Sequence, residues 1–282
     1  MSTLREKRKK ERRALRRRKT ADWTVVLILC AIAVCCGGYL VYHHWSVKQR
    51  ELEYEKMRQE EALSAATETV IAEPETEEST EETVIYCDPV YDFGQLHEQN
   101  EDIYAWIVVP GTQVDYPVLQ SETDNYYLDY NLDHSKGYPG CIYTNNCNQK
   151  DFADYNTIFY GHNMKNGSMF GSIHSFEDET FFEEHPYIYV YTENERLTYE
   201  IYEAAKFTDV YIPAQYVINS REDRDRFLND VKETVSDNKL HVRKDLEVGE
   251  EDRLITLSTC VNGERNHRYL VIGVLVETAV YR

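Results

Sequence analysis

The stretch that most restricts what this chain can fold into is residues 253–277, RLITLSTCVNGERNHRYLVIGVLVE. Two apolar, β-branched runs, 254–259 and 269–276, flank a short polar segment containing Asn262, Gly263 and Asn266. β-Branched side chains suit a pleated surface, and Gly and Asn tolerate turn geometry, so the stretch predicts two antiparallel strands joined by a tight loop. Cys260 closes the first strand and Arg268 opens the second. A hairpin returns the chain to the point it left, so this thiol and this guanidinium are expected at the same edge of one sheet.

Elsewhere short strand-like runs outnumber helical ones. Residues 106–120, WIVVPGTQVDYPVLQ, read as a hairpin about Pro110-Gly111. Residues 140–143, 157–160, 187–192 and 196–206 read as further strands. Helical spacing is expected over 90–100, with Asp88 as cap and Pro89 in the first turn, and over 175–182. It is clearest over 219–235, where Ser220 and Asp223 form a capping-box-like pair and Phe227, Val231 and Val235 share a stripe. The fold class implied is mostly β, a barrel or sandwich decorated by helices.

Charge is segregated along the chain. The first 45 residues hold eleven Lys and Arg against three Asp and Glu, whereas the whole chain stands at −19. The part beyond the tail is therefore strongly acidic and would repel phosphate, which argues against nucleic acid as a partner. Residues 1–22 form a basic tail. The uncharged run that follows, with Trp23, Tyr39, Tyr42 and Trp45 at its ends, has the length of a membrane-spanning helix over 23–45. The positive-inside rule keeps the tail in the cytoplasm and the remainder outside, in a single pass. A cleaved signal peptide is the competing reading, but the run is long for one and no small-x-small site ends it. Val34 before Cys35 does not fit a lipoprotein site. Residues 46–86 read as a stalk: helix formers first, then the acidic stretch 73–83, EPETEESTEET, too poor in apolar residues to order itself. A folded domain is expected over 87–282.

Seven cysteines are too few for a disulfide scaffold; Cys141 and Cys147 could close a local loop, which spacing alone does not decide. A cysteine becomes a nucleophile beside a base or a cation that favours its thiolate. Of nine histidines, His162 has the most suggestive setting, directly after an apolar strand and after Gly161. His267 would alternate to the other face from Arg268. Arg268 offers a planar fork of donors suited to an oxyanion. Each residue also has a plainer reading: Cys260 as a small buried hydrophobe, His162 as a surface residue, Arg268 as half of a salt bridge. No cluster has metal-ligand spacing, so no metal and no cofactor is expected.

TLSTC at 256–260 with Arg268 opening the next strand, and YGHNM at 160–164, resemble the sortases, membrane-anchored cysteine transpeptidases of Gram-positive bacteria. WIVVPGTQVDYPV, DNYYL and NTIFYGHNMKNGSMF resemble class B in particular, and the resemblance runs in order over about 88–282. It implies an eight-stranded sortase β-barrel with N-terminal helices and a helix between the penultimate strands, preceded by one transmembrane helix. It makes Cys260 the nucleophile, His162 the proton-transferring partner and Arg268 the stabiliser of the tetrahedral intermediate. Ser258 would line the substrate groove, the Val261 amide would be a second oxyanion donor, and Thr208, Tyr211 and Ile212 would lie in the groove wall. The implied partners are surface proteins bearing a C-terminal sorting signal of the NPxTx type, a peptidoglycan amine or its lipid-linked precursor as acceptor, and the cell membrane through the N-terminal helix. A cysteine endopeptidase, a pilin-polymerising sortase and a non-catalytic wall-binding module remain the alternatives.

Overall fold

The stretch 253–277 does fold as a hairpin, and both arms run longer than the apolar runs that announce them. In the computed structural model, residues 2–68, 85–235 and 239–282 are described, with side chains over 23–59, 85–235 and 239–282. Among the described residues ten strands follow in chain order: β1 (Ile85–Cys87), β2 (Ile103–Val108), β3 (Asp115–Leu119), β4 (Ile142–Thr144), β5 (Asn156–Tyr160), β6 (Tyr187–Tyr191), β7 (Glu195–Thr208), β8 (His241–Val242), β9 (Leu254–Val261) and β10 (Glu264–Tyr281). Neighbours run β10-β9-β5-β4-β3-β2-β6-β7, and β7 pairs back onto β10, closing an eight-stranded barrel. The short strands β1 and β8 add to β10 and β7 outside the ring. Closure leaves the eight ring strands without a free edge.

The long apolar run of β10 has a reason in this topology. Tyr269 and Val271 join the main core, whereas Leu270, Ile272 and Val274 join a second cluster with Phe227, Leu228 and Val231. Alternate residues of a strand point to opposite faces, so a strand covered on both sides must be apolar throughout. The covering element is the helix expected over 219–235, formed as Arg221–Glu233 between β7 and β8. Ser220 caps it by accepting from Asp223 N at 3.3 Å. The Asp223 carboxylate reaches past the cap to Val217 N at 2.7 Å, so the reciprocal bond of a full capping box is not made.

Two other helices differ from expectation in detail. The first of the domain is Phe93–Gln99, capped by Asp92, whose carboxylate accepts from Gln95 N at 3.1 Å; Asp88 and Pro89 lie outside it. The helix expected over 175–182 is split at Asp178, which ends a 3-10 turn (Gly171–Glu177) and caps Glu179–Glu184 by accepting from Phe181 N at 3.0 Å. The turn at Pro110-Gly111 forms as read, with Gly111 at φ +81°.

The chain divides into two compact units, residues 1–52 and 53–282. The helical stretch Trp23–Gln59, most of which belongs to the first, contains a window long and apolar enough to cross a bilayer, by length and composition, and residues such as Trp23, Leu27 and Tyr42 are exposed. In the second, Tyr54 and Met57 are part of the barrel's main core. The Tyr54 hydroxyl donates to Gly140 O at 3.1 Å, and Arg58 Nε donates to Asp115 O at 2.7 Å while its guanidinium lies over the Tyr116 ring. Residues 54–58 thus pack with the domain, although the charged sequence around them reads as stalk. The acidic stretch 73–83 lies outside the described residues. Cys141 and Cys147 are not joined by a disulfide, the first being buried and the second exposed.

Candidate active site

Three strand ends meet at one rim of the barrel. β5 runs parallel to β9 with Tyr160 opposite Ser258, so two residues further along both chains His162 and Cys260 emerge side by side. β10 runs antiparallel to β9 with Arg268 opposite Cys260. Sulfur, imidazole and guanidinium therefore border one groove of about 290 Å³. Thr259 Oγ1 donates to Gly161 O at 2.8 Å and stitches the two strand ends together.

Gly161 precedes His162 for a reason of space rather than of backbone conformation. Its φ is not positive, but a Cβ there would lie 2.5 Å from Ile142 Cδ1 and 2.8 Å from Phe170 Cδ2. Only glycine lets β5 pass between these side chains to deliver His162 to the rim.

Each of the three groups is in a state suited to chemistry. Cys260 is exposed, in contrast to the buried Cys141, which excludes the small-hydrophobe reading. His162 Nε2 is 2.8 Å from Leu128 O. A carbonyl only accepts, so the neutral ring carries its proton on Nε2 and Nδ1 is the basic nitrogen. The Tyr138 ring supports the imidazole at 4.8 Å between centroids. Arg268 Nη1 donates to the carbonyls of His267 at 3.0 Å and Arg265 at 3.3 Å. Among the described residues no carboxylate pairs with Arg268, so the salt-bridge reading fails. The nearby acid, Glu264, is taken by Lys206 at 3.0 Å and by His267 Nδ1 at 3.0 Å. Its hydrogen bond from Lys206 holds that carboxyl below the ordinary range.

Ser258, Thr208, Tyr211 and Ile212 all line the same groove. Val261 does not; it borders an adjoining recess with Cys260, Gly263, Glu264, Arg265 and Arg268. The Tyr211 hydroxyl receives a bond from Asn145 Nδ2 at 2.9 Å and donates toward Asp124 Oδ2 at 3.4 Å, which fixes its ring in the wall; burial pushes its pKa up. Asn125, Leu128, Tyr143 and Tyr160 also line the groove and were not singled out as site residues from the sequence. Asn125 adopts φ 60° and accepts from Tyr143 Oη at 3.0 Å, while Tyr143 and Tyr160 stack at 5.5 Å. Asn125 and Leu128 lie within DNYYL and Tyr160 directly precedes Gly161-His162, whereas Tyr143 lies in the strand-like run 140–143; none of the four side chains carries a nucleophile or a base that would mark it from sequence. Taken together, the rim offers a solvent-facing thiol, an imidazole with a free basic nitrogen and a fixed cation beside an extended, mostly apolar slot.

A family model described as Sortase domain matches residues 107–276. Over 168 residues the chain is 35% identical to sortase B of Listeria monocytogenes, a match covering 58% of this chain and 65%, just under two thirds, of that protein. It is 26% identical over 261 residues to sortase B of Staphylococcus aureus, covering 91% of this chain and 97% of that one. Among solved structures, Clostridium perfringens sortase B is similar with a TM-score of 0.59 and 28% identity, covering 66% of this chain and 100% of that chain. Because the family match runs through β5, β9 and most of β10, the strands that assemble the rim, the chain belongs to the sortases, a family of cysteine transpeptidases, and within them to class B.

Proposed function

We propose that the chain is a membrane-anchored transpeptidase that joins surface proteins to the cell wall through a thioacyl intermediate on Cys260. The observation that carries the reading is the register: Cys260 opposite Arg268 in β10, and abreast of His162 beyond the Tyr160–Ser258 pair. The Cys260 sulfur attacks the Thr carbonyl of an NPxTx-like sorting signal lying along Ser258, Thr208, Tyr211 and Ile212. The resulting oxyanion is held by the Arg268 fork and the Val261 N–H. His162 Nδ1, which holds the proton given up by the attacking Cys260 thiol, passes it to the leaving amine as the peptide bond breaks. An amine of peptidoglycan or its lipid-linked precursor then attacks the thioester. It loses a proton to Nδ1, which hands it to the departing Cys260 sulfur and so regenerates the thiol.

Residues 23–45 serve as the single-pass anchor, with 1–22 cytoplasmic and the catalytic domain outside. The run's length and its basic flank support this placement. The test uses the full chain in detergent with a labelled sorting peptide, followed by mass spectrometry with and without an added amine. A thioacyl adduct on Cys260 and a transfer product with amine are expected. Hydrolysis unaffected by amine favours an endopeptidase, transfer only to a pilin lysine favours pilus polymerisation, and equal cleavage by Cys260→Ala favours an inert thiol.

A further inference from the structure

The carbonyl of Cys260 is gripped by two side chains from outside the hairpin. Asn163 Nδ2 donates to it at 2.7 Å, and His174 Nε2 lies 3.0 Å from it. Cys260 is the penultimate residue of β9, where the last peptide units of a strand swing freely unless tied. A peptide unit is planar, with its C=O and N–H pointing in opposite directions. A grip on the Cys260 oxygen therefore also sets the direction of the Val261 N–H and the backbone angle at the residue bearing the thiol.

His174 is itself held firmly. Its Nδ1 is 2.7 Å from Glu177 Oε1, and its ring stacks on Tyr269 at 5.0 Å between centroids. Tyr269 faces Thr259 across the hairpin, so the imidazole rests on the strand pair that carries the nucleophile. Glu177 is bonded in turn by Lys239. Burial works against charge on Glu177, but the hydrogen bonds from Lys239 and His174 outweigh it and hold the carboxyl below its ordinary range. A carboxylate only accepts, so Nδ1 carries a proton. Nε2 then accepts from Asn163 Nδ2, 3.0 Å away, in the neutral ring, or donates to the Cys260 oxygen in the charged one. In both states one connected network closes on the same carbonyl.

We propose that Asn163 and His174, with Glu177 behind them, are positioning residues that hold the Cys260–Val261 peptide so that the sulfur and the Val261 N–H converge on one substrate carbonyl. The inference rests on Cys260 being the nucleophile. Neither Asn163 nor His174 borders the groove; both act through the backbone. Asn163 directly follows His162, so the loop that delivers the imidazole also tethers the main chain of the thiol. The spacing between base and nucleophile is then set by one short segment.

The test is steady-state turnover of a sorting peptide by the full chain in detergent, with Asn163→Ala, His174→Ala, the double variant and His174→Gln, whose amide nitrogen reaches toward the place of Nε2. Small displacements of reacting groups cost up to about a hundredfold in rate, so each alanine variant is expected to lower kcat about tenfold and the double variant about a hundredfold, with KM moved less than about twofold. His174→Gln is expected to recover most of the loss. A double variant with kcat within about twofold of wild type, a change confined to KM, or a glutamine variant no better than alanine each overturns the proposal. If the double variant does not fold, the comparison of His174→Gln with His174→Ala decides. A wild-type chain that forms no adduct on Cys260 defeats the transpeptidase reading itself, whereas an active wild type beside a fully active double variant defeats only the positioning role.

Discussion

Cys260 and Arg268 are register partners across the β9–β10 hairpin, so the cation beside the thiol is placed by backbone pairing. Among the described residues, the Arg268 guanidinium is held by the carbonyls of Arg265 and His267. In a chain this acidic, an arginine at a rim without a carboxylate partner among the described residues is one whose fork is left available to a substrate.

Arg268→Lys is therefore expected to behave as a loss rather than a conservative change. An ammonium cannot keep both backbone bonds and still present two parallel donors to an oxyanion. Loss of one oxyanion donor costs about 10²–10³-fold in kcat, with KM little affected. Peptide-cleavage kinetics check this, and near-wild-type turnover in the lysine variant removes Arg268 from the mechanism.

His162→Ala is expected to abolish turnover while leaving the barrel folded. The ring sits at the rim, and the fold loses its contact with the Tyr138 ring and its bond to Leu128 O, the latter worth about 1 kcal/mol. Urea denaturation with circular dichroism separates the two roles. A variant that unfolds outright marks His162 as structural.

Glu203 gives a pH dependence with a definite sign. It lies on β7 opposite Val242 and Ile272, is fully buried, and neither of its carboxylate oxygens has a hydrogen-bond partner among the described residues. Burial pushes its pKa up from 4.5 to about 8, against the pull of Lys232. Between those values the folded chain keeps a proton that the unfolded chain has released. Stability contributed by this group is complete below pH 4.5 and falls as pH rises toward about 8. Glu203→Gln has no such proton to lose, so its urea midpoint is expected to decline less than that of wild type between those pH values. Parallel profiles for the two proteins would falsify the assignment.

Tyr54 tests whether residues ahead of β1 belong to the folded unit. Its ring packs edge-on against Tyr116 at 5.2 Å, and its hydroxyl bonds Gly140 O. Tyr54→Phe is expected to cost about 1 kcal/mol, and Tyr54→Ala about 3 kcal/mol. Equilibrium denaturation reads both. Unchanged midpoints show that the helix contributes nothing to the barrel.

What the sequence determined by itself is local. β-Branched runs about an Asn-Gly turn specify the hairpin, a Pro-Gly pair specifies the turn between β2 and β3, and Ser220 specifies a helix start, because these depend on neighbours within a few residues. The pairing of Cys260 with Arg268 follows from the hairpin alone. Adding His162 required the motif resemblance, since β5 and β9 are parallel and parallel neighbours are joined only through a long connection with no local signature. Closure of β7 onto β10 likewise brought Tyr211 and Ile212 over the groove, and it placed the apolar side chains of β10 beneath Phe227 and Val231. The short apolar stripe at Tyr54 and Met57 is hidden among charges, and only the packing surface of Tyr116 and Gly140 gives it a partner. The grip of Asn163 and His174 on the Cys260 carbonyl belongs to the same class. It depends on where three separate loops end, which short-range propensity does not encode and which barrel closure decides.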